Sequence, residues 1–367
     1  MTELDLRETL ERHLDEVDVP PAPLGPVVVA GRRRRRRRRG LTATSVAVAL
    51  TAVAASGAAL VLGDDGGRGV DSSGYASLGA LDFSRGARAY AAPDQELHLA
   101  GRTFPYGELD YLDTDAVATS YGMVFYDHGR PMLLGADGEV RALVDGRLDD
   151  PGRFHPTAKA DSQHPWVAYA TRQDGVTTLT VHDVSTGADV ASTDAGCGSC
   201  GGLVIDALDG GVVFVRTDAG TRTWDTATGQ WQDFAGPTTR VADVRNGVVL
   251  YDGDAPSASR ADDGSQVVAV PGAVDATLTF DGRYVLDWSS RLRSTDGSPD
   301  LVLEQGPTEQ YALGFWAIDS DGTVLVARPD RRAGFVVYDC AVATGACEEL
   351  GPLDPLHGDP MFIGVDM

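Results

Sequence analysis

The sequence lacks the short motifs that would assign it a reaction. H-E-x-x-H, G-x-S-x-G and a Walker loop are absent from its 367 residues, and these patterns carry zinc, acyl-transfer and nucleotide chemistry. The seven histidines are scattered, and the 54 acidic residues are too many for one pair to stand out as the acid and base of a glycosidase. We therefore predict no catalytic residue, no metal ligand and no cofactor.

Charged residues are missing from one 22-residue stretch, residues 41–62, which eight consecutive arginines (32–39) closely precede. A helix of that length spans a bilayer core of about 30 Å, and arginine-rich flanks stay in the cytoplasm. The predicted organisation is a cytoplasmic tail (1–40), a transmembrane helix (41–62), a flexible Gly-, Asp- and Ser-rich linker (63–74) and an extracytoplasmic domain (75–367). The alternative is a secreted protein, because Ala-Val-Ala at 52–54 matches a signal-peptidase site and cleavage would occur near Ala54. The long stretch before the apolar run and the continuation of that run to Leu62 favour the anchor.

Lysine is almost absent: Lys159 is the only one among 31 basic residues. With abundant alanine and glycine, this bias is typical of a GC-rich genome such as that of an actinobacterium. Residues 1–62 carry a net charge of +3. Because the net charge of the whole chain is −23, residues 63–367 carry −26. A domain that acidic is a poor partner for nucleic acid or anionic lipid.

The tail has a helical pattern before Pro20 ends it. One apolar stripe is formed by Leu6, Leu10, Leu14 and Val17. A helix this short is unstable alone in water, so we expect a cytoplasmic regulator or the membrane surface to cover the stripe; an unpaired, disordered tail is the alternative. The layout of acidic helix, Pro-rich linker, arginine block and anchor resembles the tails of actinobacterial membrane proteins that accompany extracytoplasmic-function sigma factors. The tail lacks the His/Cys zinc motif of anti-sigma domains.

Helical periodicity is absent from residue 75 onward, where short β-branched strands alternate with glycine turns. The glycines of one turn series lie 33 to 49 residues apart, close to the size of a four-stranded propeller blade, about 40–45 residues. They are Gly101, Gly138, Gly187, Gly229, Gly264, Gly297 and Gly345. A second series of Asp-Gly and Asn-Gly pairs precedes apolar strands and predicts type I′ hairpins.

The two chain ends complete the strand count. The first unit offers three strands, and residues 361–365 add one strand without a unit of its own. We therefore predict an all-β fold, a seven-bladed β-propeller in which the C-terminal strand closes the first blade by pairing with the strand around residues 88–90. The D-x-x-T-G turns at 183–187 and 225–229 resemble those of quinoprotein-type and YVTN-type blades. That resemblance implies a generic bacterial exported propeller, although only Trp231 falls near the tryptophan that ends each quinoprotein repeat.

Cysteine is scarce and occurs as two close pairs, Cys197 with Cys200 and Cys340 with Cys347. Outside the membrane such pairs indicate disulfides, and we predict the two local bonds. A redox C-x-x-C motif and a Cys₄ zinc site are the alternatives. Residues 319–322 (Asp-Ser-Asp-Gly) resemble the start of a calcium loop but are interpreted as a hairpin turn of the repeat.

Connections between second and third strands lie on one rim of a propeller, where we predict a binding face formed by Trp288, Arg291, Arg328 and Arg331. The sequence favours a ligand- or protein-binding module that senses outside the membrane and signals through its tail, rather than an enzyme. The alternative is an exported enzyme, a lyase, glycoside hydrolase or quinoprotein. Three or more titratable side chains converging at the floor of the central funnel would favour that alternative.

Overall fold

The computed structural model divides the chain into two compact units, Met1–Gly67 and Arg68–Met367. The described residues begin at residue 77, so the predicted tail, membrane helix and linker all lie outside them. They are residues 77–91, 96–105, 116–127, 130–144, 158–196, 203–252, 256–260, 266–270, 276–286, 291–304, 315–330, 334–353 and 360–362. In these ranges no helix has the length and apolar character needed to cross a membrane.

All the regular elements of these ranges are β-strands. In chain order they are β1 (Tyr90–Ala91), β2 (Glu96–Leu99), β3 (Arg102–Pro105), β4 (Val117–Thr119), β5 (Gly122–Asp127), β6 (Arg130–Gly135), β7 (Val140–Ala142), β8 (Lys159–Ala160), β9 (Trp166–Gln173), β10 (Val176–Asp183), β11 (Ala188–Asp194), β12 (Val204–Asp209), β13 (Val212–Thr217), β14 (Gly220–Asp225), β15 (Gln230–Ala235), β16 (Arg240–Arg245), β17 (Val248–Asp252), β18 (Ser257–Arg260), β19 (Gln266–Ala269), β20 (Thr277–Leu278), β21 (Tyr284–Leu286), β22 (Leu292–Ser294), β23 (Phe315–Ile318), β24 (Val324–Asp330), β25 (Gly334–Cys340), β26 (Cys347–Leu353) and β27 (Met361–Phe362).

The strands form seven antiparallel sheets, which are the blades of the propeller. Blade 1 has the strand order β27-β1-β2-β3, and blades 2 to 5 are β4 to β7, β8 to β11, β12 to β15 and β16 to β19. Blade 6 shows the three strands β20 to β22, and blade 7 is β23 to β26. The inner strands of neighbouring blades contact each other, as β8 contacts β12 and β12 contacts β16.

Seven apolar cores lie between the seven blades, one at each joint. The alternation of side chains along a strand produces this arrangement, because successive residues point to opposite faces of a sheet. In β5, Met123 and Phe125 pack towards blade 1, whereas Val124 and Tyr126 pack towards blade 3. Seven sheets joined by seven cores make a closed ring, so the predicted all-β seven-bladed propeller is confirmed.

The ring is closed between the two ends of the domain, as the sequence predicted. Tyr90 pairs with Phe362 and Ala91 with Met361, in antiparallel register. Strand β27 also contacts β23, the inner strand of blade 7, and Phe362 packs with Tyr90 in the core between blades 7 and 1. The C-terminal strand is therefore the innermost strand of blade 1. The predicted extension of this strand to Val365 lies outside the described residues.

One predicted disulfide is present. Cys340 and Cys347 face each other across the β25–β26 hairpin and are bonded, with Cα atoms 4.0 Å apart. Cys197 and Cys200 lie outside the described ranges, so their bond stays a prediction.

The turn prediction is partly wrong. Asn246 and Gly247 both have positive φ angles (49° and 74°), as a type I′ hairpin requires. At Asp281-Gly282 and Asp321-Gly322 only the glycine is left-handed. There the aspartate instead accepts the amide hydrogen of the residue two positions on, for example Thr323 N to Asp321 Oδ1 at 3.0 Å. These Asp-Gly pairs mark hairpins for a different physical reason from the one we expected.

Aspartates at the turns after the inner strands also join neighbouring blades. Asp161 of blade 3 accepts the amide hydrogen of Gly211 in blade 4 (3.1 Å). Asp209 of blade 4 accepts that of Gly247 in blade 5 (2.8 Å). Asp319 of blade 7 accepts those of Ala87 (2.9 Å) and Arg88 (2.7 Å) at the closing joint. The hairpin turn at residues 319–322, which resembles the start of a calcium loop, therefore links two blades through Asp319.

Candidate functional site

The only lysine of the chain is buried at the inner strand of blade 3. Lys159 opens β8 with 6% of its surface exposed. Its neighbours Ala158 and Ala160 pack into the core between blades 2 and 3, and strand alternation therefore directs Lys159 to the opposite face, towards blade 4. Burying an ammonium group is costly unless charged or polar groups surround it.

A bulge places a carboxylate beside this lysine. In β12, Ile205 pairs with Val215 and Ala207 with Phe214, so Asp206 between them is an extra residue. Such bulges re-aim side chains. Ile205 consequently packs into the core with blade 3 and Ala207 into the core with blade 5. Asp206 is buried.

Asp206 is held by a neighbouring cation and a hydroxyl. Arg216 Nε lies 3.0 Å from Asp206 Oδ1 and 3.3 Å from Oδ2, and Thr221 donates to Oδ2 at 3.4 Å. The Arg216 side chain is 29% exposed. It is therefore the part of this group nearest to solvent.

Blade 5 contributes a second carboxylate, Asp243 on β16. This buried side chain accepts hydrogen bonds from Thr277 Oγ1 (2.7 Å) and from the Leu278 amide (3.0 Å) in blade 6. A bulge at Ala242 precedes it, at the position that corresponds to the bulge at Asp206. Both inner strands thus carry a bulge at the same place, but the extra residue is the carboxylate Asp206 in blade 4 and Ala242 in blade 5, where Asp243 is paired with Leu250.

Arg245 joins three blades through one guanidinium group. Its Nε lies 3.2 Å from Asp243 Oδ1, and its Nη1 donates to the Ala160 carbonyl of blade 3 at 2.7 Å. Its guanidinium carbon lies 5.3 Å from the centre of the Phe280 ring in blade 6. Because the side chain reaches from blade 5 past blade 4 to blade 3, these inner strands converge on one buried group of charges. We call Lys159, Asp206, Arg216, Asp243 and Arg245 the charged cluster.

The electrostatics of the charged cluster favour a lysine that can lose its proton. Burial lowers the pKa of Lys159 to about 8; Asp243 and Asp206 oppose that shift, whereas Arg245 and Arg216 add to it. Burial also raises the pKa of Asp206, although Arg216 and Lys159 act in the other direction. Burial would also raise the pKa of Asp243. Arg245, the Thr277 hydroxyl and the Leu278 amide outweigh burial, so the pKa of Asp243 is lowered.

The charged cluster therefore contains an ammonium group that releases its proton readily, one carboxylate held ionised and one with a raised pKa. The charged cluster has three basic and two acidic members, so a protonated Lys159 gives it an excess of positive charge. Such a group can hold a small anion, or use the neutral amine as a base or nucleophile.

The residues predicted for the binding face are placed elsewhere. Trp288 and Arg331 lie outside the described ranges. Arg291 is exposed just before β22 in blade 6, and Arg328 lies within β24 of blade 7, opposite Val336, rather than in a connection. Neither belongs to blades 3 to 5, which form the charged cluster. Whether these residues bind anything stays a prediction.

Sequence reasoning missed the charged cluster. The signal was present in the single lysine flanked by two alanines in a short strand, but it was interpreted as a compositional bias. The bulge that places Asp206 as an extra residue has no comparable signature in the sequence.

No protein-family model and no curated protein matches this sequence. Many solved structures are similar to this chain, and two of them illustrate how distant the likeness is. TolB from Acinetobacter baumannii shares 12% identity with a TM-score of 0.37, over 63% of this chain and 61% of that chain. An oligogalacturonate lyase from Vibrio parahaemolyticus shares 10% identity with a TM-score of 0.39, over 63% of this chain and 76% of that chain. The assignment of the fold rests on the seven sheets and seven cores.

Proposed function

We propose that this chain is an extracytoplasmic propeller, anchored by residues 41–62, that binds a small anionic ligand at the charged cluster and signals through its cytoplasmic tail. The arginine block at 32–39 supports the orientation. The apolar stripe from Leu6 to Val17 supports a regulator on the inner side. A protease added to intact cells should digest residues 75–367 and spare the tail; protection of the domain would refute the orientation.

The observation that carries the binding proposal is the charge pattern around Lys159. Its electrostatic environment contains two carboxylates and two guanidinium groups, so the protonated lysine adds one positive charge to a balanced set. An anion that enters past Arg216, the most exposed member, would be attracted by this excess of positive charge.

The binding test uses the full-length protein in detergent, titrated with acetate as the probe anion. We expect saturable binding that Lys159→Met weakens at least about tenfold, because a hydrogen bond to a charged group contributes about 1.5–3 kcal/mol. Arg141→Met, which removes an exposed arginine of blade 2, is the matched control and should bind as the unchanged protein does. Equal affinity in the Lys159→Met protein would refute the site.

An exported enzyme is the second candidate, and one observation favours it. Lys159, Asp206 and Asp243 are three titratable side chains that converge on the inner strands, the arrangement expected of a funnel-floor active site. The discriminating measurement is turnover. Chemical change of a bound compound that stops in the Lys159→Met protein would favour the enzyme, whereas reversible binding alone favours the module.

A further inference from the structure

The hairpin formed by β25 and β26 of blade 7 carries different chemistry on its two faces. Cys340 and the partly buried Cys347 pack with Leu303 in the core between blades 6 and 7. Neighbouring residues along a strand point to opposite faces, so Asp339 and Glu348 are directed towards blade 1. These two carboxylates lie directly opposite each other, on the rung of the ladder next to the disulfide.

Two arginines from the start of blade 1 meet the carboxylates. Arg88 Nη2 lies 2.5 Å from Asp339 Oδ2 and 3.1 Å from Glu348 Oε2. Arg85 Nη2 lies 2.5 Å from Glu348 Oε2. The side chains of Arg88 and Asp339 are 13% and 4% exposed, whereas that of Glu348 is 54% exposed. The outer hairpin of blade 7 is therefore joined by ion pairs to the residues that lead into the closing strand β1.

The disulfide fixes the register of the hairpin where the two carboxylates face each other. Like charges directly opposite each other in an antiparallel pair are destabilising, and Arg88 offsets this repulsion only while both carboxylates stay within its reach. On one side of the carboxylates lies the covalent bond. On the other side the register shifts between Val337 and Tyr338, and such a bulge disrupts the ladder locally. The position of the carboxylates therefore depends on the bond.

We propose that the disulfide between Cys340 and Cys347 is a redox-sensitive switch of ring closure. The intact bond holds Asp339 and Glu348 in position for Arg88, and its reduction loosens the joint between blades 7 and 1. The inference is independent of the proposed function, because it concerns blades 7 and 1 and uses no member of the charged cluster.

The exposure of the two cysteines sets the direction of thiol–disulfide exchange. Cys340 is fully buried, whereas Cys347 is partly exposed, so a thiolate of a small dithiol attacks Cys347 Sγ. The S–S bond breaks, a bond forms between the dithiol and Cys347, and Cys340 leaves as a thiolate that takes up a proton. The second thiol of the reductant then attacks this mixed disulfide and releases Cys347 as a thiolate, which is also protonated. The dithiol is oxidised to its cyclic disulfide, and the protein gains two electrons and two protons.

The effect of reduction should appear first at the joint between blades 7 and 1. Strands β1 and β27 pair over two residues each, and Val337 of β25 packs with Tyr90 and Phe362 in the core of this joint. Loss of the covalent bond lets β25 and β26 move apart, so local opening exposes the amides of β1 and β27 to solvent.

The experiment measures amide hydrogen exchange in the full-length protein in detergent, with and without dithiothreitol. The substitutions Cys197→Ser and Cys200→Ser are present throughout, so that the reductant acts only at Cys340–Cys347, and thiol labelling measures the reduction. We expect exchange in β1 and β27 to rise at least about tenfold on reduction, which corresponds to about 1.4 kcal/mol in the free energy of opening. The amides of β16 and β17 in blade 5 should keep their rates.

Glu348→Gln shows whether the ion pairs carry the effect. The substitution removes the charge that faces both arginines and repels Asp339, so reduction of this variant should have little effect on exchange at the joint. Because the Glu348 side chain is half-exposed, the substitution opens no cavity. Glu349→Gln, at the exposed neighbouring residue, is the matched control and should respond to reduction as the parent protein does.

Four results would overturn the inference. A bond that resists dithiothreitol in the folded protein would show that it has a structural role alone. Equal exchange at the joint before and after reduction would separate the disulfide from ring closure. An equal rise in the Glu348→Gln protein would show that the ion pairs carry none of the effect, and an equal rise in every blade would show general destabilisation instead of a switch.

Discussion

At the scale of single residues, the charged cluster has a cost to stability that predicts a measurable pH dependence. The pKa of Lys159 is lowered to about 8 from 10.5, which corresponds to about 3 kcal/mol of destabilisation when the group is charged in both states. Below pH 8 the whole cost is present. Between pH 8 and 10.5 the unfolded chain binds more protons than the folded one, so stability rises with pH, and above 10.5 the cost is gone.

Lys159→Met should therefore stabilise the protein at pH 7, by about 1–3 kcal/mol, and the difference from the unchanged protein should close between pH 8 and 10.5. Urea unfolding of both proteins at pH 7 and pH 10 measures this. Lys159→Arg is the control, because arginine keeps its charge at both pH values. The difference in unfolding free energy between Lys159→Arg and Lys159→Met should therefore be the same at pH 7 and pH 10. A Lys159→Met protein that is less stable at pH 7 would contradict the burial cost.

Single residues also show where sequence reasoning succeeds and where it stops. Cys340 and Cys347 could be paired because their spacing suits one hairpin. The surroundings of Lys159 could not be predicted, because Asp206 and Asp243 come from other blades and Asp206 is the extra residue of a bulge. Long-range pairing and local register shifts are set by packing, which a single sequence does not display.

At the scale of strands and turns, the repeat was predictable because glycine is required where the backbone is left-handed. Gly187 and Gly229 have φ angles of 70° and 71° and end the two D-x-x-T-G turns. In each turn the aspartate carboxylate accepts two following backbone amides, as Asp183 does from Ser185 and Thr186. The motif is therefore a local hydrogen-bonding unit, and this explains why it occurs without a shared function.

The turn aspartates that link blades were not predicted, and Asp319→Ala tests their contribution. The Asp319 carboxylate accepts the Ala87 and Arg88 amides of blade 1, and burial raises its pKa to about 6, so it is ionised at pH 7. Removing it leaves the Arg88 amide without this acceptor, whereas the Ala87 amide keeps Ser320 Oγ at 2.9 Å; the loss should cost about 1–3 kcal/mol. Asp321→Ala is the matched control in the same turn, because Asp321 bonds only within its own hairpin in the described contacts. Equal thermal midpoints for the two variants would show that the link contributes little.

At the scale of the whole molecule, stability depends on the closing of the ring. Each of the seven cores is shared by two blades, so opening one joint exposes two sheet faces and two unpaired inner strands. Among the described strands, those that complete the joint between blades 7 and 1 come from opposite ends of the domain, Tyr90–Ala91 and Met361–Phe362. Chain closure by a single terminal strand makes this joint the one most easily opened by truncation.

Deletion of residues 360–367 should therefore open the ring. It removes Phe362, which is 7% exposed and packs with Tyr90, Ala317 and Leu353 in the last core. Loss of a buried phenylalanine side chain alone costs about 3–5 kcal/mol, comparable with the whole net stability of many domains, about 5–15 kcal/mol. We expect a lower and broader thermal transition, together with aggregation through the exposed edges. Deletion of residues 366 and 367 alone, which keeps the predicted strand, is the control and should melt like the full chain. A cooperative transition at the full-length temperature after the longer deletion would mean that six joints suffice and that β27 is dispensable.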